Sequence, residues 1–88
     1  MGISTRSTEW LLGRLQYLKE KLRAYETIVR TVRALQLENR ENLAFVEAAE
    51  AVVRFAASQM QFVATALNLV EAELSKREAK AREGAKAG

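Results

Sequence analysis

The chain has 88 residues, a net charge of +3, 49% hydrophobic residues, and no Pro, Cys or His. Those absences exclude disulfide staples, Cys or His metal centres, thiol nucleophiles and imidazole acid–base catalysis. All eleven acidic residues are Glu and only four residues are Gly, so most turn chemistry is missing while strong helix formers dominate. The composition excludes a β-rich fold and predicts an all-α chain. At this length a single domain spanning 1–88 is the limit, with a core too small to be generous.

From the N-terminus, residues 1–7 contain no apolar run, so no secretory signal peptide is expected. Ser7 is a good N-cap and Glu9 sits where a helix dipole favours negative charge, which opens a helix over about 8–38. Leu11, Leu15, Leu18, Leu22, Tyr25, Val29 and Val32 then follow at alternating spacings of four and three. That is a heptad seam with Leu15, Leu22 and Val29 at a, and Leu11, Leu18, Tyr25 and Val32 at d. The next seam positions are Gln36 and Asn39, where the apolar stripe stops.

The pattern resumes with Val46, Ala49, Val53, Ala56, Met60, Val63, Leu67, Val70 and Leu74, out of phase with the first half by three residues. A single straight helix would have to absorb that offset as a stammer. A turn over about 39–42 is simpler: Asn39 ends the first helix by tolerating a left-handed backbone or competing for backbone hydrogen bonds, and Asn42 caps the second. The preferred reading is two long antiparallel helices, a coiled-coil-like helical hairpin, over one continuous helix or three shorter ones. The second helix is predicted over about 43–83, ended by Gly84 at C′, with a short tail over 84–88. Residues 75–88 lose the apolar stripe and carry Glu73–Arg77 and Glu78–Arg82 at the i,i+4 spacing of a solvated helical extension.

The expected intrachain seam is Leu11, Leu15, Leu18, Leu22, Tyr25, Val29, Val32, Val46, Val53, Met60, Val63 and Leu67. Pairing a with d about a centre at Asn39 sets Leu11 beside Leu67, Leu18 beside Met60 and Val32 beside Val46. The most apolar window, 51–70, holds Arg54, Ser58, two Gln, Thr65 and Asn68, so no membrane-spanning helix is expected.

Two paired helices need one stripe each, yet both carry more. Trp10 and Tyr17 lie at c and Ile28 and Leu35 at g of the first helix. Phe45 and Val52 lie at g, and Phe55, Phe62 and Leu69 at c, of the second. Left bare, such a patch exceeds what soluble monomers tolerate, which predicts an oligomer interface, most simply a dimeric four-helix bundle. A ligand pocket formed by Trp10, Phe55 and Phe62 is a weaker reading of the same residues.

Charge is uneven: residues 1–40 hold eight Lys/Arg against four Glu, and residues 41–75 hold one Arg against five Glu. Lys19, Arg23, Arg30, Arg33 and Arg40 fall at e and b, an anion-binding flank in form. Pairing with Glu41, Glu47 and Glu50 is preferred to pairing with phosphate. Glu47 and Glu50 share a face but lack the His or additional acids of a carboxylate-bridged metal site, so neither a metal, a cofactor nor an enzymatic activity is expected. The functional expectation is therefore a non-enzymatic assembly protein whose main partner is itself or another helical protein. It would form a homo-oligomeric bundle, or a filament, capsid or secretion-type complex subunit, built in the cytoplasm. The alternatives are a small nucleic-acid-associated subunit using the basic flank, and a protein that lays its second helix on a membrane or inclusion surface.

Overall fold

The computed structural model describes residues 2–87. A single 3₁₀ turn, Ile3–Thr5, leads into helix α1, Thr8–Glu38, and helix α2, Leu43–Ala87, which folds back along α1 as an antiparallel hairpin. The chain is all-α among the described residues, and the hairpin is rod-like, with extents of 68 × 24 × 15 Å.

Polar side chains terminate the helices where the sequence places them. Ser7 Oγ accepts the Trp10 amide at 3.1 Å, closing the start of α1, and Asn42 Oδ1 accepts the Phe45 amide at 3.1 Å, closing the start of α2. Asn39 ends α1, but not through a left-handed backbone: its φ is −117°. Its side-chain amide instead donates back to the Leu35 carbonyl at 2.8 Å, in parallel with its own backbone N–H at 3.0 Å. Competition for backbone acceptors therefore stops the helix.

The far end departs from expectation. Gly84 does not terminate α2, which continues to Ala87, and no described glycine has a positive φ. Gly is a weak helix former but not a breaker, and here the good helix formers around it prevail. Gly88 lies outside the described residues.

Burial runs along the seam. Leu11, Leu18, Ala49, Val53, Ala56, Val63 and Val70 are buried, and Leu11 is fully enclosed at 0% exposure. Leu15, Leu22, Tyr25, Val29, Val32, Val46, Met60 and Leu67 are half-buried. Every residue of the expected seam thus lies on the inner face, joined by Ala49, Ala56 and Val70. Small residues, Ala49 and Ala56, occupy the seam in the turn-proximal half, and larger side chains fill the other half, where Leu11, Leu18, Val63 and Val70 cluster.

The register differs from the one read about Asn39. Gln36 Nε2 donates to the Val46 carbonyl at 3.4 Å, and Arg33 donates to Glu50, so the pairing centres near residue 41. Leu11 is then level with about Val70, Leu18 with Val63, and Val32 with Ala49. The reason is the turn itself: α1 ends at Glu38 and α2 begins at Leu43, so levels are set by the midpoint of a tight loop and not by its first Asn.

Arg77 closes the open end. Its guanidinium donates to Glu73 at 3.1 Å, to Thr8 Oγ1 at 3.0 Å, and to the carbonyls of Ser4 and Arg6 at 3.2 and 2.6 Å. One side chain at a d position thereby satisfies acceptors of the chain entering α1, and Ile3 and Leu74 both pack against the buried cluster of Leu11, Leu18, Val63 and Val70. The sequence shows only the Glu73–Arg77 pair; the anchoring of the N-terminal turn emerges from the fold.

Leu18→Ala removes a buried side chain from a thin core and is expected to lower unfolding free energy by about 2–5 kcal/mol. Urea denaturation followed by helical circular dichroism measures it, and a loss below about 1 kcal/mol would show that the seam is not the main source of stability.

Candidate assembly interface

Around a helix the heptad positions run a, e, b, f, c, g, d, so g and c adjoin one side of the seam and e and b adjoin the other. Folding α2 antiparallel to α1 brings the two g flanks side by side. A shallow groove shows this directly: Arg14, Tyr17, Leu18 and Lys21 of α1 line it together with Gln59, Phe62, Val63 and Ala66 of α2. The e positions meet on the opposite side, where Arg33 pairs with Glu50. The hairpin is consequently amphipathic as a unit, with an apolar, aromatic g/c side and a charged e/b side.

On the g/c side, Trp10, Tyr17, Ile28 and Leu35 of α1 and Val52, Phe55, Phe62 and Leu69 of α2 are exposed, and Phe45 is half-buried. Phe62 at 70% and Phe55 at 63% leave most of their rings in solvent. The structure does not gather Trp10, Phe55 and Phe62 into one pocket: the grooves beside Phe62 are lined by neither of the other two. The reason is level along the rod, since Trp10 lies near the open end while Phe55 and Phe62 lie near mid-height. Leu12, Leu37 and Leu43 are also exposed and were not singled out in the sequence. They sit alone at e or b positions or at the turn, away from the g/c flank, so no periodic signal marks them.

Cations lie over the two exposed rings of α1, Trp10 and Tyr17. The Arg14 guanidinium lies 4.8 Å from the Tyr17 ring centre and the Lys21 ammonium 5.4 Å from it, while Lys21 also donates to the Tyr17 hydroxyl at 3.2 Å. Arg6 lies 4.9 Å from the Trp10 ring. Exposed contacts of this kind contribute about 0.5–1 kcal/mol each and hold the rings in defined poses.

The e/b side carries the basic flank. Lys19, Arg23, Arg30, Arg33 and Arg40 are all exposed. Among the described residues only Arg33 forms an ion pair, with Glu50; Arg30 donates to Thr27 Oγ1 at 3.3 Å. Glu41 and Glu47, expected as counter-charges, pair with none of them among the described residues, because the tight turn and the register direct the flank past them. Glu50 also accepts from Gln36 Nε2 at 3.1 Å, and Arg33 donates to Gln36 Oε1 at 2.7 Å. Gln36, at the seam position where the apolar stripe ends, thus joins a cross-helix polar network. Hydrogen bonds from Arg33 and Gln36 hold the Glu50 carboxyl below its ordinary 4.5.

No cluster of three or more acidic side chains that could hold a metal ion occurs among the described residues, and no helix is long and apolar enough to cross a membrane. No protein-family model, curated protein or solved structure matches the chain significantly.

A carboxyl whose folded value is depressed adds stability above its unfolded value, and that stability is lost as pH falls through the folded value. Wild type is therefore expected to be more stable than Glu50→Gln at neutral pH, with the gap closing as pH falls below 4.5. Denaturant unfolding of both proteins across that range checks it, and a gap that does not change with pH would place Glu50 outside the network.

Proposed function

We propose that this chain is a non-enzymatic assembly subunit whose g/c side is covered by other copies of itself. The smallest such particle is a dimer of hairpins, a four-helix bundle, and a staggered, heterologous use of the same side would generate a filament, capsid or secretion-type assembly from cytoplasmic subunits. The observation that carries the reading is surplus surface. The hairpin exposes 6805 Å², whereas a compact monomer of its 9.9 kDa exposes about 5200 Å². Its radius of gyration is 19.2 Å, against about 12 Å for a compact chain of this length. The excess, about 1600 Å² per chain, is the size of surface that obligate partners bury; it takes in the aromatic flank together with the stretch of α2 that runs beyond the start of α1.

Replacing Phe62 with Glu puts a charge where association would desolvate it, whereas Leu15→Ala weakens only the intrachain seam. Phe62→Glu is expected to shift the particle to monomers with helicity kept, and Leu15→Ala to lower the melting temperature with particle mass kept. Light scattering coupled to size exclusion reads both. A wild-type chain that sediments as a cooperatively melting monomer at micromolar concentration sinks the proposal.

A second reading, binding to nucleic acid, is favoured by one observation: four of the five flank cations are without an ion pair among the described residues. Phosphate binding predicts affinity that falls with log salt by about 0.9 per released counterion on duplex DNA. Under the assembly reading, fluorescence anisotropy near physiological salt gives no sub-micromolar binding. Binding that disappears in Arg23→Glu/Arg30→Glu, with particle mass kept, would promote the second reading.

A further inference from the structure

We infer that two copies meet through their g/c sides in antiparallel orientation, about a two-fold axis that passes between Phe55 and Phe62. The inference rests on the self-assembly reading and adds the geometry of the contact. Three observations carry it. First, the helix α1 spans Thr8–Glu38, so its midpoint is near residue 23, which the register places level with about Gln59 of α2. Phe55 and Phe62 therefore lie on either side of mid-height, each within about 6 Å along the rod at 1.5 Å per residue. A two-fold axis there sets Phe55 of one copy beside Phe62 of the other, twice, and covers the two most exposed rings of the molecule with each other.

Second, the same axis relates the two ends of α1. Trp10 falls level with Leu35 of the second copy and Tyr17 with Ile28, so each large ring faces an aliphatic side chain. In a parallel arrangement the two-fold axis runs along the rod and α1 faces α2 of the second copy, so Trp10 falls level with about Ala72 and Tyr17 with about Thr65.

Third, charge separates the two orientations. The cations that accompany these rings, Arg6, Arg14 and Lys21, all lie in the half of α1 away from the turn. Parallel packing would set Arg6 level with about Lys76, at a c position of the second copy's α2, and like charges at close quarters oppose association. Antiparallel packing moves them onto the turn-proximal half, whose c positions hold Ala24, Thr31 and Glu38 and whose g positions hold Ile28 and Leu35, and sets Arg6 level with about Asn39, next to Glu38 of the second copy.

The test uses the full chain with Glu41→Cys, the only thiol in the molecule, at an exposed turn position far from the g/c side, carrying a nitroxide label. Antiparallel packing puts the two turns at opposite ends of the rod, about 50 Å apart at 1.5 Å per residue. Double electron–electron resonance is expected to show that distance as the main peak, in a sample whose mass by light scattering is a dimer or larger. A main peak at about 20 Å or less in an assembled sample, from turns lying side by side at helix-packing distance, would overturn the antiparallel arrangement and leave self-assembly standing. A labelled chain and wild type that both run as monomers, with no dipolar signal, would overturn the assembly reading and this inference with it.

Discussion

The turn between Asn39 and Asn42 constrains everything else. Asn39 ties its side chain back to Leu35 and Asn42 caps the Phe45 amide, so both helices stop with their terminal groups satisfied across only four residues. A loop this short leaves little freedom in how α2 slides along α1. The Arg33–Gln36–Glu50 network reinforces the choice one turn further in, because a polar residue at a seam position is satisfied in one register only. Once the levels are fixed, Leu11 and Leu18 of α1 meet Val63 and Val70 of α2, and Arg77 reaches the carbonyls of the entering chain.

That constraint also decides what stays outside. Two helices can bury a and d against each other, but they cannot bury c. Each c stripe is carried by its helix to the outside of the pair, and the antiparallel turn places both c stripes on the same side. The hairpin is therefore a stable answer to the seam and an incomplete answer to the sequence. The thin core and the large exposed aromatic flank are two consequences of one geometry: residues committed to the flank are unavailable to the core.

The distribution of charge follows the same division. The e/b side holds the longest run of cations together with the one cross-helix ion pair among the described residues, whereas on the g/c side cations stack on rings. An exposed pair such as Arg33–Glu50 contributes at most about 1 kcal/mol and selects a register more than it drives folding. Stacked cations act differently, because they charge one half of an apolar surface and leave the other half neutral or acidic. Such asymmetry along a rod discriminates between orientations of a partner even where hydrophobic contact supplies the attraction.

Much of this was legible in the residues alone. The heptad spacing gave two helices, the phase slip of three residues placed the break, and Ser7, Asn39 and Asn42 marked ends that the structure keeps within a residue or two. The c and g positions of Phe55, Phe62, Trp10 and Tyr17 marked a second apolar flank, since periodicity is a property of each helix and needs no partner. Register was not legible, because a heptad seam satisfies several offsets nearly equally and only the satisfied turn and the Gln36 bonds separate them. Nor was the anchoring by Arg77, whose acceptors lie some 70 residues away in sequence. That Lys19, Arg23 and Arg40 form no ion pair among the described residues belongs to the same class: a charge pair across helices depends on level and side, and those exist only once the chain has folded back on itself.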